Sequence, residues 1–190
     1  MSRLDNTGWI QTISGKAFFF EDPRPEDIDI GDIAWALSMQ CRYNGHVRDF
    51  YSVAEHSVLV SQIVPWEFAL EGLLHDASEA VMGDLVRPLK QLMPAFAEME
   101  AKIEEVIAKK YGLIYPWPKE VKEADNILLM TERRDLIPIK QEWTKWAEPM
   151  EGTIVAVDST TARDLFLTRF ASLMVDRAIN DARLVRSPAK

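Results

Sequence analysis

The 190-residue sequence predicts an all-α fold, a helical bundle preceded by a small N-terminal β-hairpin. Three observations support this prediction. Apolar residues recur at the 3, 4, 7 spacing of a helix face in successive segments between residues 33 and 182. Two short β-prone pieces flank Ser14-Gly15-Lys16, as in a hairpin. The length and the 47% hydrophobic content fit one domain, residues 1–190, with a substantial core.

The first elements follow from turn and cap residues. Residues 1–31 are expected to form an N-terminal extension that contains the hairpin. A helix over Ile33–Gln40 comes next, with its N-cap at or near Asp32. The Asn44-Gly45 pair predicts a turn, so residues 41–46 are expected to lie on a loop rather than in a core.

The later helices are bounded by similar signals. Ser52, with Glu55 three residues on, predicts a capping box at the start of a helix. Further signals predict helices over Val53–Val64, Trp66–Met82 and Met93–Tyr111. Another predicted helix is entered through Pro118 and carries Val121 to Leu129. The last predicted helix runs from Ser159 or Thr160 to about Ala182. Residues 83–88 are expected to form a turn, and residues 186–190 a disordered tail.

Composition excludes several classes of function. The net charge of -8 argues against binding of a nucleic-acid polymer or an anionic membrane, because either would require a basic surface. No apolar run reaches the length of a membrane span and the N-terminus lacks a secretory pattern, so we expect a cytoplasmic protein. Cys41 is the single cysteine of the sequence, so any metal ion must be bound through nitrogen and oxygen.

The pair His75-Asp76, followed by Glu79, is the first candidate site. These polar side chains lie in a segment whose leucines and alanines have the spacing of a buried helix face. A carboxylate beside apolar packing requires a counter-charge or a metal ion. A lone His-Asp dipeptide is more often a cap or a solvated face, so the pair needs support from the rest of the chain.

That support comes from two other apolar helix faces. His56 lies on one stripe with Val53 and Val60, and Asp125 lies on another with Leu128. Taken alone, His56 is equally compatible with a core histidine that bonds a backbone carbonyl. Asp125, taken alone, is equally compatible with a buried hydrogen bond to a neighbouring helix end.

Together the four side chains predict one metal site. Two imidazoles and two carboxylates, from His56, His75, Asp76 and Asp125, suit a divalent transition metal such as Mn, Fe, Co, Ni or Zn. Such an ion activates water and neutralises phosphoryl charge, so hydrolysis is the expected chemistry. Glu79 lies one helical turn beyond His75, where it would orient the attacking water or accept its proton. Additional Mg ions on a phosphorylated substrate are left open.

The order His, His-Asp, Asp on a helical chain resembles the HD-domain metal-dependent phosphohydrolase superfamily. The resemblance spans roughly residues 33–136 and is closest in His75-Asp-Ala-Ser-Glu79 and in Gly83-Asp84-Leu with Pro88 and Lys90. Those motifs are similar to the YfbR-type 5'-deoxynucleotidases and to the phage dATP triphosphohydrolases of the DatZ type. Residues 33–57 resemble the phage and short bacterial members more than YfbR itself.

The resemblance implies roles for further residues. It implies that the four ligands bind the catalytic metal, with Asp76 and Glu79 in the catalytic group, and that Arg42, Lys90 and Lys122 meet phosphates. An ordinary solvated lysine is the alternative for Lys90 and for Lys122. Tyr43 would stack on a base or crowd a ribose 2'-hydroxyl, and Pro88 would wall the base pocket. Asp84 would bind the sugar 3'-hydroxyl or cap the turn.

Three functional hypotheses follow. The first is a dNTP triphosphohydrolase, most simply a dATPase, because three cations favour a polyphosphate. The alternative is a 5'-deoxynucleotidase acting on dNMPs. The third is a degenerate HD domain that serves as a binding or regulatory module, against which the intact ligand set argues. The expected partner is a small deoxynucleotide, and the resemblance implies a homo-oligomer, either a dimer or a hexamer.

Overall fold

The computed structural model describes residues 8–138 and 141–186, and helices dominate it. The elements are β1 Trp9–Gln11, β2 Ala17–Phe19, α1 Ile30–Met39, α2 Val53–Ile63, α3 Ala69–Leu74, α4 Glu79–Met82, α5 Arg87–Lys90, α6 Pro94–Tyr111, α7 Lys119–Asp135 and α8 Ser159–Arg186. The predicted all-α fold with an N-terminal hairpin is therefore confirmed. Arg186 ends α8, and the rest of the predicted tail lies outside the described residues.

The hairpin lies against the first helix through Asp32. Strands β1 and β2 pair antiparallel, and the turn between them contains Gly15 at a φ of 84°. The Asp32 carboxylate accepts hydrogen bonds from the backbone N–H and the hydroxyl of Ser14 at 3.0 and 2.8 Å. Asp32 is thus not the predicted N-cap. Asp29 caps α1 instead, accepting from the Gly31 N–H at 2.9 Å.

Helix α2 lies at the centre of the bundle. It packs against α1, α3, α7 and α8, and Val53, Ala54 and Val60 on it are fully buried. Ser52 caps it, because the Ser52 hydroxyl accepts a hydrogen bond from the Glu55 N–H at 3.1 Å, as predicted. The Glu55 carboxylate does not complete the capping box and accepts instead from the Val157 N–H at 3.1 Å.

The single helix predicted over Trp66–Met82 is wrong. A 3-10 turn precedes α3, and residues 75–78 form a tight turn between α3 and α4. In this turn the Ala77 N–H bonds the Leu74 carbonyl and the Glu79 N–H bonds the Asp76 carbonyl, which is the three-residue hydrogen-bond pattern. Apolar spacing does not distinguish this tight turn from an α-helix, and the turn is where His75 and Asp76 lie.

The C-terminal half contains two further differences from prediction. Residues 87–90, the end of the predicted turn and the residues after it, form the short helix α5, which carries Pro88 and Lys90. The last helix is capped by Asp158 rather than by Ser159 or Thr160, because Asp158 accepts from the N–H groups of Thr160 and Thr161 at 2.9 and 3.0 Å. Among the described residues, no helix combines the length and apolar content needed to cross a membrane.

Candidate metal centre and cleft

The four predicted metal ligands converge at one point between α2, α7 and the turn after α3. The His56 Nε2 atom lies 3.5 Å from a carboxylate oxygen of Asp76 and 3.5 Å from one of Asp125. The His75 Nε2 atom lies 3.2 Å from the other Asp76 oxygen. Donor atoms of His56, His75 and Asp125 all lie within 4.8 Å of one another. Two helices and one tight turn, far apart in the sequence, therefore bring the four predicted ligands into one cluster.

Each imidazole is held in the tautomer that a metal ligand requires. The His75 Nδ1 atom donates to the Gly72 carbonyl at 2.9 Å, since a carbonyl can only accept. The His56 Nδ1 atom donates to the Glu132 carboxylate at 2.6 Å. Both Nε2 atoms then face the cluster, and both are buried without a hydrogen-bond partner. Two buried, unpartnered imidazole nitrogens facing two carboxylates fit a divalent metal ion.

The two aspartates are held in the ionised form that binds metal. Burial alone would raise the pKa of Asp76, but the nearby His75, His56 and Arg42 outweigh it and leave the pKa below its usual value. Burial likewise opposes ionisation of Asp125, and the His56, His75 and Lys122 side chains outweigh it, so its pKa lies well below normal. Both carboxylates are thus anionic at neutral pH.

Glu132 is the residue of this site that sequence reasoning missed. Its side chain is fully buried and accepts from His56, from the Tyr43 hydroxyl at 2.5 Å and from the Arg42 guanidinium at 3.3 Å. Burial would raise its pKa, but Arg42, His56 and the hydrogen bonds lower it to about 2. Its position seven residues after Asp125, on the same face of α7, was the available signal.

The Arg42-Tyr43 turn is built differently from the loop that the sequence predicts. Tyr43 and Asn44 both adopt left-handed backbone conformations, with φ of 57° and 51°, which is unusual for a residue with a Cβ atom. Arg42 is buried rather than loop-exposed, and besides Glu132 it approaches an oxygen of Asp76 at 3.6 Å. Two side chains next to each other in sequence therefore reach the metal cluster from the cleft side.

Glu79 begins α4 beside the cluster, where the predicted general acid or base would lie. Its side chain is buried and its Oε2 atom has no hydrogen-bond partner. Burial, together with the charges of Asp76 and Asp84, raises the pKa of Glu79 well above its usual value. Burial also raises the pKa of Asp84. The Gln40 side chain links the two residues, donating to the Glu79 carbonyl and accepting from the Asp84 N–H, both at 2.9 Å.

A cleft of about 760 Å³ opens beside the cluster, large enough for a nucleotide. Its lining contains every predicted substrate-contacting residue, namely Arg42, Tyr43, Asp84, Pro88, Lys90 and Lys122. It also contains four side chains to which no role was assigned from the sequence, namely His46, Arg87, Trp143 and Trp146. The placement brings the predicted set together, while the role of each residue stays a prediction.

The predicted phosphate-binding cations are already paired with carboxylates. Lys122 contacts an Asp125 oxygen at 2.7 Å, and Arg87 contacts the same oxygen at 3.2 Å. Lys90 contacts Glu100 at 2.7 Å and is mostly covered, whereas 59% of the Lys122 side chain is exposed, so a solvated lysine stays the alternative for Lys122. These pairs weaken the expectation that Arg42, Lys90 and Lys122 bind a polyphosphate, because each of the three already has an anionic partner within the protein.

Comparison with known proteins gives a consistent result. A family model described as "5'-deoxynucleotidase YfbR-like" matches residues 47–150, which contain all four candidate ligands and Glu79. An Escherichia coli protein, uncharacterized protein YfdR, is 53% identical over 67% of this chain and 72% of its own length. An uncharacterized protein of Rhodobacter capsulatus is 33% identical over 67% of this chain and 72% of its own. A Photobacterium profundum protein named 5'-deoxynucleotidase is 41% identical over 40% of each chain.

Proposed function

The chain belongs to the YfbR-like 5'-deoxynucleotidase family of HD-domain metal-dependent phosphohydrolases, and from that premise we propose that it removes the 5'-phosphate of 2'-deoxynucleoside monophosphates. The observation that carries the proposal is the pair of buried, unpartnered Nε2 atoms that face Asp76 and Asp125 at the floor of a nucleotide-sized cleft. A relative that carries the name 5'-deoxynucleotidase supports the substrate class.

His56, His75, Asp76 and Asp125 would hold a divalent transition metal, Mn, Fe, Co, Ni or Zn, and the described donor set fits any of them. Such an ion, when bound, supplies Lewis acidity toward the phosphoryl group and an acidified water. Glu132 holds His56 in place, and Arg42 holds both Glu132 and Asp76. The protein thus fixes the orientation of its ligands through a buried ion-pair network.

Glu79 would carry the proton in this reaction. Burial raises the pKa of Glu79, which favours the protonated carboxyl, and its unpartnered Oε2 atom is the atom at which that proton would be exchanged. The proton would pass between Oε2 and the attacking water or the leaving 5'-oxygen. Asp84 also lines the cleft and would bind the sugar 3'-hydroxyl.

Charge in the cleft favours a monophosphate over a triphosphate. The lining contains four carboxylates, Asp76, Glu79, Asp84 and Asp125, and four basic side chains, Arg42, Arg87, Lys90 and Lys122. Those basic side chains already pair with carboxylates of the protein, which leaves little uncompensated positive charge for a polyphosphate. The comparisons also support the 5'-deoxynucleotidase alternative better than the dNTP triphosphohydrolase expected first from the sequence.

Product analysis tests the proposal directly. Protein stripped with chelator and reloaded with each of the five metals is incubated separately with dAMP, AMP and dATP, and the products are separated by ion-exchange chromatography. We expect deoxyadenosine and inorganic phosphate from dAMP. Inorganic triphosphate from dATP with no phosphate from dAMP would overturn the proposal in favour of the triphosphohydrolase.

Two further expectations stay proposals. We propose that the enzyme acts in the cytoplasm and assembles as a homo-oligomer, either a dimer or a hexamer. Sedimentation equilibrium of the full chain with and without the metal distinguishes these states, and a monomer at micromolar concentration would contradict the assembly.

A further inference from the structure

Residues 141–150, which lie between α7 and α8, run along the cleft and are tied to α7. The Arg133 guanidinium donates to the Gln141 carbonyl at 2.5 Å and the Arg134 guanidinium donates to the Met150 carbonyl at 2.7 Å. The Met150 N–H in turn donates to the Thr131 hydroxyl at 3.0 Å. These bonds hold both ends of residues 141–150, which contain the two tryptophans of the cleft wall.

Trp146 lies on this wall with 53% of its surface exposed. The Arg87 guanidinium carbon lies 5.7 Å from the centroid of its indole ring, which is cation–π distance. The same guanidinium contacts an Asp125 oxygen at 3.2 Å. One arginine therefore contacts both the indole and a candidate metal ligand, which places Trp146 in the same part of the cleft as the metal cluster.

Trp143 is engaged more fully than Trp146. Its ring centroid lies 6.2 Å from that of Tyr43, and the Arg133 guanidinium carbon lies 5.5 Å from it. Its exposed fraction is 38%. Trp143 thus packs between α7 and the Arg42-Tyr43 turn, while more of the Trp146 indole is open to a ligand.

We propose that Trp146, backed by Arg87, is the stacking platform for the nucleobase of the bound deoxynucleotide. This inference rests on the proposed function, since it places the phosphate at the metal cluster. The lining of the same cleft contains the apolar side chains of Val86, Pro88 and Leu129, against which a planar base would pack. Stacking on an indole accepts every base, so the platform gives broad base acceptance with purines held more tightly.

The test compares a nucleotide with its base-free counterpart. KM and kcat are measured for dAMP and for 2-deoxyribose 5-phosphate with wild type, Trp146→Ala, Trp146→Phe and the control Trp66→Ala. Trp66 is a tryptophan with 70% exposure that does not line the cleft. We expect Trp146→Ala to raise KM for dAMP about 10-fold and to leave KM for the base-free phosphate unchanged. Trp146→Phe should restore most of the loss, and Trp66→Ala should change neither value.

An equal rise of KM for both substrates would overturn the platform, because it would show that Trp146 shapes the cleft rather than stacking on a base. No change for either substrate would overturn it as well. Calorimetric titration of dAMP into metal-loaded wild type and Trp146→Ala tests the platform apart from hydrolysis. If dAMP binds wild type without being hydrolysed, the proposed function fails. The ratio of the dAMP affinities of wild type and Trp146→Ala then still tests the platform. Equal affinities, or no binding by wild type, would overturn the platform.

Discussion

The two walls of the cleft are built on different physical principles. The metal wall consists of side chains on packed helices and on the tight turn after α3, with His56 and Glu132 fully buried and hydrogen-bonded to each other. The opposite wall consists of the short helix α5 and the segment that contains Trp146, whose aromatic and cationic side chains are half exposed. A metal site tolerates little error in geometry, whereas a base-stacking surface tolerates much. The difference therefore indicates that the metal wall carries the chemistry and the opposite wall recognises the substrate.

The largest expected effect is on the metal wall. Asp76→Ala removes one carboxylate from the cluster, and we expect loss of bound metal and a fall in kcat/KM greater than the about 10- to 100-fold typical of residues that only support a ligand. Metal content by elemental analysis and turnover of dAMP check this. Unchanged values for both would show that the site is elsewhere.

Glu132→Gln tests a residue that supports the metal ligand His56 without binding the metal itself. The amide cannot supply the negative charge that holds the His56 Nδ1–H and the Arg42 guanidinium, so we expect metal affinity to fall by about 10- to 100-fold. Chelator competition measures the affinity without reference to turnover. Glu123→Gln on the same helix, at an exposed position, is the matched control and should leave affinity unchanged. Equal affinity of Glu132→Gln and wild type would remove Glu132 from the site.

Glu55 is a buried glutamate whose pKa is raised, whereas the pKa of the buried Glu132 is lowered. Burial raises the pKa of Glu55 from 4.5 to about 7, although the Val157 N–H opposes the shift. The folded state therefore retains a proton that the unfolded state has lost, and the free energy of unfolding of the metal-free protein should fall by about 2 kcal/mol between pH 5 and pH 7 from this group. Urea unfolding of Glu55→Gln should show a smaller fall over that range. The same slope in both proteins would contradict the assignment.

Tyr43→Phe has the smallest expected effect. Tyr43 links the two walls, because it contacts Glu132 in the metal wall and Trp143 in the opposite wall. The change removes the hydroxyl that donates to Glu132 and keeps the ring that faces Trp143. We expect a loss of about 1.5 kcal/mol in the free energy of unfolding, the lower end of the range for a hydrogen bond to a charged group, because Arg42 and His56 still bond Glu132. Chemical denaturation measures it. An unchanged midpoint would mean that the left-handed turn is held by Arg42 alone.

The metal wall was largely predictable from sequence, because its residues interrupt apolar helix faces. His56 and Asp125 each occupy a position on α2 or α7 where an aliphatic residue would otherwise fit, and periodicity alone places both side chains inside the bundle. The tight turn at residues 75–78 was not predictable, because its apolar spacing also suits an α-helix. The cap at Asp29 was missed because Asp32 offers the same local signal.

The opposite wall was less predictable, because its contacts join residues far apart in the chain. Nothing near Trp146 in sequence indicates that it will meet Arg87, since the two lie on separate segments that only the fold brings together. Glu132 and Arg42 pair across 90 residues for the same reason. Arg42 was assigned to a loop correctly, but its burial follows from partners that the local pattern does not contain.

The most direct test of the central claim is the position of the metal. Crystals of the cobalt-loaded protein with dAMP, measured at the cobalt absorption edge, should show one anomalous peak bonded to the Nε2 atoms of His56 and His75 and to carboxylate oxygens of Asp76 and Asp125. Distances of about 2.0 to 2.2 Å are expected, with phosphate oxygen in an open position. A peak bonded through Nδ1, or one remote from these four side chains, would contradict the account.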